Sequence, residues 1–486
     1  MSSDNGREDS VVEAVTAWHV FPQPQIYLQG TEGSLGDRLR HRGTGDEKAY
    51  LINDAEQPAA EGHQVVGKQG ALQASASIIK AVVGAGSFAL PWAFLQAGLF
   101  GGMIGILVLA ILSCYTIRML IQCKRELVGK SDRYVTYVDI AREVYGRVVA
   151  WTLYAAIVIT SIGACSAYLV FWYYSSRPSA CHPLFTEPVP CPFSGNMLES
   201  VSRGKLESMY WVFILAGPLI LFTWIRSFRY LAFTSIIGDI ALVLAMITMF
   251  VEGFKEESVE NPFGGEYPPI QYLSYPKFFG AAAFLFCVHM LMVPIEQSMH
   301  TPKNFGKAVY GSFLVVTVLN LVFAAIGYEA FDYKYMLYKG ATKDIIINNL
   351  PDNVFVDVAR VALVFDLFFT FIVVIVPARD IIETSLLTPN QRWNTIKRYA
   401  IRTVMVGICV GIGVGVKQFS DLIGLVSGLS LSFMAFVLPP MLHMRLFWAR
   451  LDWVLIGVDI FLILFGIVAA VTTTTVSAIS IVGDYS

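Results

Sequence analysis

The stretch Ser77-Ile-Ile-Lys80-Ala-Val-Val-Gly84-Ala85-Gly86-Ser87-Phe-Ala-Leu-Pro91-Trp-Ala-Phe94 decides the fold. With its flanks it is long and apolar enough to enter a bilayer, yet two glycines and a proline interrupt it near the middle. A break in a membrane helix exposes backbone N–H and C=O groups that lipid cannot satisfy. It survives only where protein or a water-filled cavity covers it. Broken helices near the bilayer midplane are how many secondary transporters build their sites. The half-helix starting near Gly86 aims its N–H groups, the positive end of its dipole, at such a cavity, where a carboxylate is well placed. Close helix packing is the other reading, because Gly-x-Gly and proline are common in membrane helices.

The rest of the chain sets this stretch in a membrane protein. Its 486 residues are 55% hydrophobic and 15% charged, against roughly 25% charged for a soluble domain. A soluble chain needs more charge to cover its surface, and disordered, collagen-like and disulfide-framework classes are excluded as well. The net charge of -2, with no basic stripe or finger spacing, gives no sign of a nucleic-acid partner. Seven cysteines without CxxC, and the absence of HExxH, leave no readable metal site. No nucleophile–base constellation recurs at membrane depth, so an enzyme is not expected, and no GxxxxGK[ST] implies ATP. No cofactor is implied.

Apolar runs long enough to cross a roughly 30 Å core occur near 76–98, 101–123, 147–174, 209–225, 230–252, 276–298, 308–331, 354–377, 399–416, 420–443 and 453–479. The expectation is an all-α, multi-pass domain of eleven helices over 71–480. It is preceded by a polar, disordered tail at 1–70 and followed by a short tail at 481–486. With the N-terminus cytoplasmic, the loops on that side carry 18 Lys and Arg against 8 on the other. The positive-inside rule favours that orientation and puts 481–486 outside the cytoplasm. Cys181 and Cys191 then share a loop on the oxidising side and are candidates for a disulfide. In the tail, Glu47-Lys-Ala-Tyr-Leu51-Ile52 resembles an acidic dileucine sorting signal, which points to a vacuolar or lysosomal membrane; the plasma membrane is the alternative. Residues 134–146 read as a short helix after span 2, and 378–398 as a connector between spans 8 and 9.

Span 6 matches span 1. It reads Phe286-Cys287-Val288-His289-Met-Leu-Met-Val-Pro294-Ile-Glu296, with a histidine and a proline inside the run. Spans 1 and 6 cross in opposite directions, five spans apart. Interrupted spans at matching positions of two inverted halves are the best sequence pointer to a transport site. Spans 1–5 and 6–10 would be the repeats, with span 11 added.

Three segments carry a resemblance. IIKAVVGAGSFALPWAFLQAGL resembles the first-helix signature of the amino acid/auxin permease family. PIEQSMHTPKNF is similar to the span-6 exit of its proton-coupled and vacuolar branches, and GLSLSFMAFVLPPMLHM to the family's late Gly/Ser run ending in Pro-Pro. The resemblance covers about 71–480. It implies a LeuT-type 5+5 inverted-repeat fold and transport of amino acids, usually coupled to protons. By position it puts substrate contacts at Gly84, Ala85, Gly86 and Ser87, and at Phe286, Cys287, Val288 and His289. Members near this branch often carry a small or acidic residue where Cys287, Val288 and His289 stand, so the imidazole narrows or polarises the pocket.

Ionisable residues inside a membrane are functional candidates because each is costly there. Lys80, Asp239, His289 and Asp366 stand out. In the inferred fold, helices 1, 5 and 8 meet where sodium-coupled relatives hold a cation. The Lys80 ammonium is expected there, paired with Asp366 or Asp239, as a proton-coupling device or a structural ion pair. Glu296 is a candidate gate or relay at the cytoplasmic end of span 6, or a cap of that end. One of Ser161, Cys165, Ser166 and Tyr168 in span 3 is expected to face the cavity. Gly424, Ser427, Gly428, Ser430 and Ser432 in span 10 are expected to pack. The function expected is proton-coupled transport of small neutral amino acids across a lipid bilayer. The alternative is an amino-acid-sensing transceptor signalling through its tail to a protein partner the sequence does not identify.

Overall fold

The computed structural model of the chain describes residues 69–128, 135–173, 208–224, 240–251, 270–330, 344–349, 354–387, 394–416 and 418–483. Span 1 is interrupted where its glycines fall. Helix α1 (Ala71–Val82) gives way to a 3₁₀ turn (Ala85–Ala89) and then to α2 (Leu90–Ala97), the two helices bent by 44°. Gly84 is extended at the break. Pro91 sits in the first turn of α2, where its missing N–H costs nothing.

The chain continues through α3 (Leu99–Val128), α4 (Tyr137–Tyr145), α5 (Arg147–Tyr173), α6 (Ser208–Trp224) and α7 (Ile240–Val251). Span 6 is likewise divided, into α8 (Tyr275–Phe286) and α9 (His289–Ser298). Then follow α10 (Phe305–Ala330), α11 (Val354–Val374), α12 (Val376–Leu386), α13 (Asn394–Gly415), α14 (Phe419–Val426), α15 (Leu438–Phe447) and α16 (Trp453–Gly483). Among the described residues, eight helices are long and apolar enough to cross a membrane, the bent α1–α2 pair makes a ninth, and α6 and α7 are shorter apolar helices. Each of the eleven segments overlaps one of the apolar runs.

The broken helices lie inside. Alpha8 packs against α2, α14 and α16, and α10 packs along α1, α2 and α3. The outer faces present Ile111, Leu314 and Val454 to the surroundings, as expected where lipid is the solvent. Inside, small residues let backbones close up. A Cβ on Gly280 would lie 2.7 Å from the Gly424 Cα, and one on Gly424 would lie 2.3 Å from the Ser477 hydroxyl. The span-10 glycines and serines pack in the same way. Ser427 donates to the Gly280 carbonyl at 2.8 Å, and Gly428 faces Thr474.

Span 10 is wound as a π-helix over Ser427–Leu431 and Phe433–Val437 before Pro439 and Pro440 open α15. In the wider π pattern a carbonyl accepts from the residue five ahead. For Met434 that residue is Pro439, which has no N–H. The freed Met434 carbonyl accepts from the Tyr137 hydroxyl at 2.9 Å, and Tyr145 donates to the Met441 carbonyl at 2.9 Å. Both tyrosines belong to α4, which begins in a capping box of Thr136 and Asp139 and ends at Gly146, φ 81°.

The stretch 378–398 is not simply a connector. Pro377 falls in the first turn of α12, so the chain stays helical to Leu386. Glu383 then pairs with Arg402 of α13, Nε to Oε1 at 2.6 Å. Cys181, Cys191, Asp239, residues 1–68 with the dileucine-like stretch, and residues 484–486 lie outside the described residues.

Candidate functional site

The breaks in spans 1 and 6 lie side by side. The 3₁₀ turn Ala85–Ala89 packs on α8. Gly86 is where the contact is tightest, since a Cβ there would meet Leu285 at 2.9 Å and Phe284 at 3.1 Å. Glycine is therefore needed at this position for room, not for its backbone freedom. On the facing strand of the site, α8 stops at Phe286 and Cys287 leaves helical geometry (φ -87°, ψ 57°). Alpha9 restarts at His289. A helix start leaves its first N–H groups without intrahelical acceptors. The start of the Ala85–Ala89 turn, which runs on into α2, and the start of α9 are thus the two positive dipole ends at the breaks.

The break residues from Ala85 to Ala89 and from Phe286 to Val288 carry no formal charge. Phe88 meets Phe323 of α10 edge-on at 5.5 Å, and Phe286 lies 6.1 Å from Phe313 of the same helix. These rings wall the break with apolar surface. Three buried polar atoms nearby have no protein partner among the described residues: the Ser87 hydroxyl, the Ser161 hydroxyl and His289 Nδ1.

His289 is fully buried, and its tautomer follows from its neighbour. Thr116 of α3 lies with its hydroxyl 2.8 Å from His289 Nε2. The same hydroxyl donates its one hydrogen to the Leu112 carbonyl at 3.0 Å or the Ser113 carbonyl at 3.2 Å. With the hydrogen on either carbonyl, its lone pair accepts from Nε2–H. Nδ1 is left as a bare lone pair.

Glu296 lies in the last turn of α9. It is buried and forms an ion pair with Lys124 of α3. Arg125 Nη2 reaches its other oxygen at 3.2 Å and also donates to the Pro302 carbonyl at 2.8 Å. Beside it the chain before α1 is tied to the end of span 6, with Gln69 N–H donating to the Ser298 carbonyl at 3.0 Å and His300 N–H to the Gln69 carbonyl at 2.9 Å.

The turn around Ile346–Asn349 touches the Ala85–Ala89 turn. Ile345, Ile346 and Ile347 are buried there. Asp344 anchors the turn by accepting from the Ser420 N–H at 2.6 Å at the start of α14. Burial raises the Asp344 carboxyl above its ordinary 3.8, outweighing the lowering effect of that bond and of the Phe419 N–H.

The other expected residues are more scattered. Lys80 is half-buried on α1, one turn before the break, and Asp366 is buried on α11. Asp366 lies close enough to Tyr168 of α5 to act on it electrostatically. Ser166 donates back to the Ile162 carbonyl and Cys165 points its thiol to the Phe371 carbonyl, whereas the Ser161 hydroxyl has no partner among the described residues. Sequence reasoning missed Thr116, Lys124 and Arg125. Thr116 carries no signal in a single sequence. Lys124 and Arg125 were read only as markers of orientation, although their place opposite a buried Glu296 follows once spans 2 and 6 are neighbours.

A family profile described as "Transmembrane amino acid transporter protein" matches residues 67–479. The chain is 26% identical over 457 residues to "Amino acid transporter ANT1" of Arabidopsis thaliana, covering 89% of this chain and 96% of that one. It is 22% identical to "Proton-coupled amino acid transporter-like protein pathetic" of Drosophila melanogaster, covering 96% of each. It is 24% identical to "Vacuolar amino acid transporter 3" of Schizosaccharomyces pombe, covering 82% of this chain and 56% of that one. Among solved structures, a Na+-coupled sialic acid symporter in a substrate-bound outward-open state superposes with a TM-score of 0.50 at 11% identity, covering 86% and 91% of the two chains.

Proposed function

The chain belongs to the transmembrane amino acid transporter family, and from that premise we propose that it is a secondary active transporter of small neutral amino acids coupled to protons. The site lies between the breaks of spans 1 and 6. One observation carries this reading: two helix starts lie at the breaks, beside an imidazole whose Nδ1 lone pair is buried and unpartnered. The starts of the Ala85–Ala89 turn and of α9 suit the substrate carboxylate. The Ser87 hydroxyl and His289 Nδ1 suit its ammonium group. The absence of formal charge on the break residues suits a zwitterion without a charged side chain, and Phe88 and Phe286 restrict its size.

Proton coupling follows from the same place. An imidazolium at a helix start is disfavoured by the dipole. A substrate carboxylate beside it offsets that repulsion. Each ligand then raises the affinity for the other, as linkage requires. Lys80 with Asp366 or Asp239 forms the supporting charge pair where a sodium ion would otherwise sit. Glu296, Lys124 and Arg125 form the cytoplasmic gate, and the Ile345–Ile347 turn covers the other side. The relatives named vacuolar and proton-coupled favour a vacuolar or lysosomal membrane with the N-terminus in the cytoplasm. A disulfide between Cys181 and Cys191 fits that orientation. The sensor alternative draws on residues 1–68 alone, outside the described residues.

The test is uptake of an amino-acid panel into proteoliposomes, with a pH gradient imposed and sodium varied separately. Accumulation of alanine-sized substrates driven by the gradient is expected. Uptake that requires sodium and ignores pH overturns the coupling, and preference for charged amino acids overturns the substrate class.

A further inference from the structure

A second buried titratable pair lies away from the two breaks. His443 Nδ1 of α15 and Asp459 Oδ2 of α16 are 2.8 Å apart. Asp459 is fully buried, although the hydropathic core of α16 is the least buried of the long helices. The carboxylate therefore points into the bundle and not to lipid. Its second oxygen, Oδ1, has no partner among the described residues. The other face of the imidazole lies against Phe447, ring centres 5.1 Å apart.

The charge arithmetic is simple. A neutral imidazole donating from Nδ1 to an ionised carboxylate leaves the buried pair with one net negative charge. One added proton makes it neutral. A lone charge at membrane depth is costly. Several charged and titratable groups lie on the elements packed around the pair. From α3, Tyr115 and Cys123 feel the Asp459 charge, and Arg118 acts on Tyr115. Arg445 of α15 acts on Tyr145 of α4. The Phe433–Val437 segment that packs on both helices has no ionisable residue. Of the remaining charges on packed elements, Lys277 of α8 bonds Ser480 near the far end of α16. Asp421 is on α14 and Arg450 pairs with Glu126.

We propose that His443 and Asp459 form a proton-binding site, outside the substrate path, that ties α15, the α-helical continuation of the π-wound segment, to α16. The proposal rests on the proton-coupled reading above and deepens it. Pro439 and Pro440 follow directly on the π-wound segment, and π segments are frequent at functional sites. Alpha15 can therefore tilt as a unit. With the proton on, imidazolium and carboxylate attract and hold α15 to α16. With the proton off, the hold weakens and a net charge is left buried, which favours a tilt that admits water. The covalent structure is unchanged: one proton enters and the same proton leaves.

The experiment reconstitutes the full chain and its Asp459→Asn and His443→Gln variants. Accumulation of labelled alanine under an imposed pH gradient is compared with alanine counterflow at equal pH on both sides. Both variants are expected to lose at least tenfold of gradient-driven accumulation while counterflow stays within twofold. Unchanged gradient-driven accumulation in both variants overturns the proton site. An unvarying wild type, with no response to the gradient, overturns the proposed coupling instead. Infrared difference spectra between acid and neutral pH give a readout that does not need transport. A protonated-carboxyl band or imidazolium signature present in the wild type and missing from both variants supports the site. Identical spectra for wild type and Asp459→Asn overturn it, and Asp459→Glu, which keeps the charge, is the control for folding.

Discussion

Thr116 and His289 come from helices α3 and α9 and meet at 2.8 Å, hydroxyl to Nε2. With the threonine's own hydrogen on the Leu112 or Ser113 carbonyl, the imidazole is the donor. A residue with no role visible in the sequence thus sets which nitrogen of the central histidine faces the break.

Thr116→Val removes the acceptor and leaves a buried donor unpaired. That costs about 1–3 kcal/mol unless the ring changes tautomer, in which case Nδ1 gains the hydrogen and stops accepting. Either way, KM for the transported amino acid is expected to rise about tenfold. Thr116→Ser keeps the hydroxyl and is expected to stay within twofold of the wild type. Equal KM values for valine and serine variants would show that the hydrogen bond is not used.

His289→Ala is expected to flatten the pH dependence of uptake, measured as initial rates between pH 5 and 8, because no Asp, Glu, Lys or second His lies in either break. Glu296→Gln should leave the profile in place. Its carboxylate is committed to Lys124 and Arg125, and breaking a buried ion pair by removing one partner costs about 3–5 kcal/mol. The consequence is looser closure at that end. Cys287 is buried at the break, so its reaction with a membrane-impermeant thiol reagent should speed up several-fold in Glu296→Gln. A Cys287 rate that does not change sinks the gate.

Tyr137→Phe tests the π segment. The variant deletes the one hydroxyl that serves the Met434 carbonyl, whose partner in the π pattern would be the N–H that Pro439 lacks. A buried carbonyl left unpaired costs about 1–3 kcal/mol. A lowered Tm is the expected outcome, with transport slowed because α4 and span 10 no longer move together. A Tm within experimental error of the wild type would mean that water takes over the carbonyl.

Much of this was readable from residues alone. Gly84, Gly86 and Pro91 marked the first break, and Val288-His289 with Pro294 marked the second, because a membrane leaves an interrupted helix few ways to satisfy its backbone. Asp459 obeyed the same intramembrane-charge rule that singled out Asp239 and Asp366, and could have been found by it. Arg360, buried on α11 with Asp357 at 3.1 Å, could have been found likewise. What the sequence withheld were pairings between distant helices: Thr116 with His289, Lys124 with Glu296, Tyr137 with Met434. These depend on which helix faces which, and hydropathy carries no such information. The helix at 376–386 was hidden for another reason: Arg379, Asp380 and Glu383 followed by Pro389 look like a connector, although Arg379 pairs with Asp380 and Glu383 with Arg402 inside the fold.

Asp344 gives a dependence on pH with a definite sign. It lies outside the membrane-spanning segments and holds the Ile345–Ile347 turn to the start of α14. Burial raises its pKa in the folded protein above the ordinary 3.8. The folded state then binds a proton more tightly than the unfolded state. Its contribution to stability is fully present below 3.8 and is lost as pH rises from 3.8 through the raised value. Acid on that side therefore favours the closed turn. Asp344→Asn stays uncharged throughout. The difference in Tm between wild type and Asp344→Asn, followed from pH 4 to 7, should change steadily, with the wild type losing ground as pH rises. Parallel curves would show that the carboxyl does not titrate with the turn. On the proposed topology this face looks into the compartment that acidifies, so the same proton gradient that drives uptake would also tighten the cover over the site.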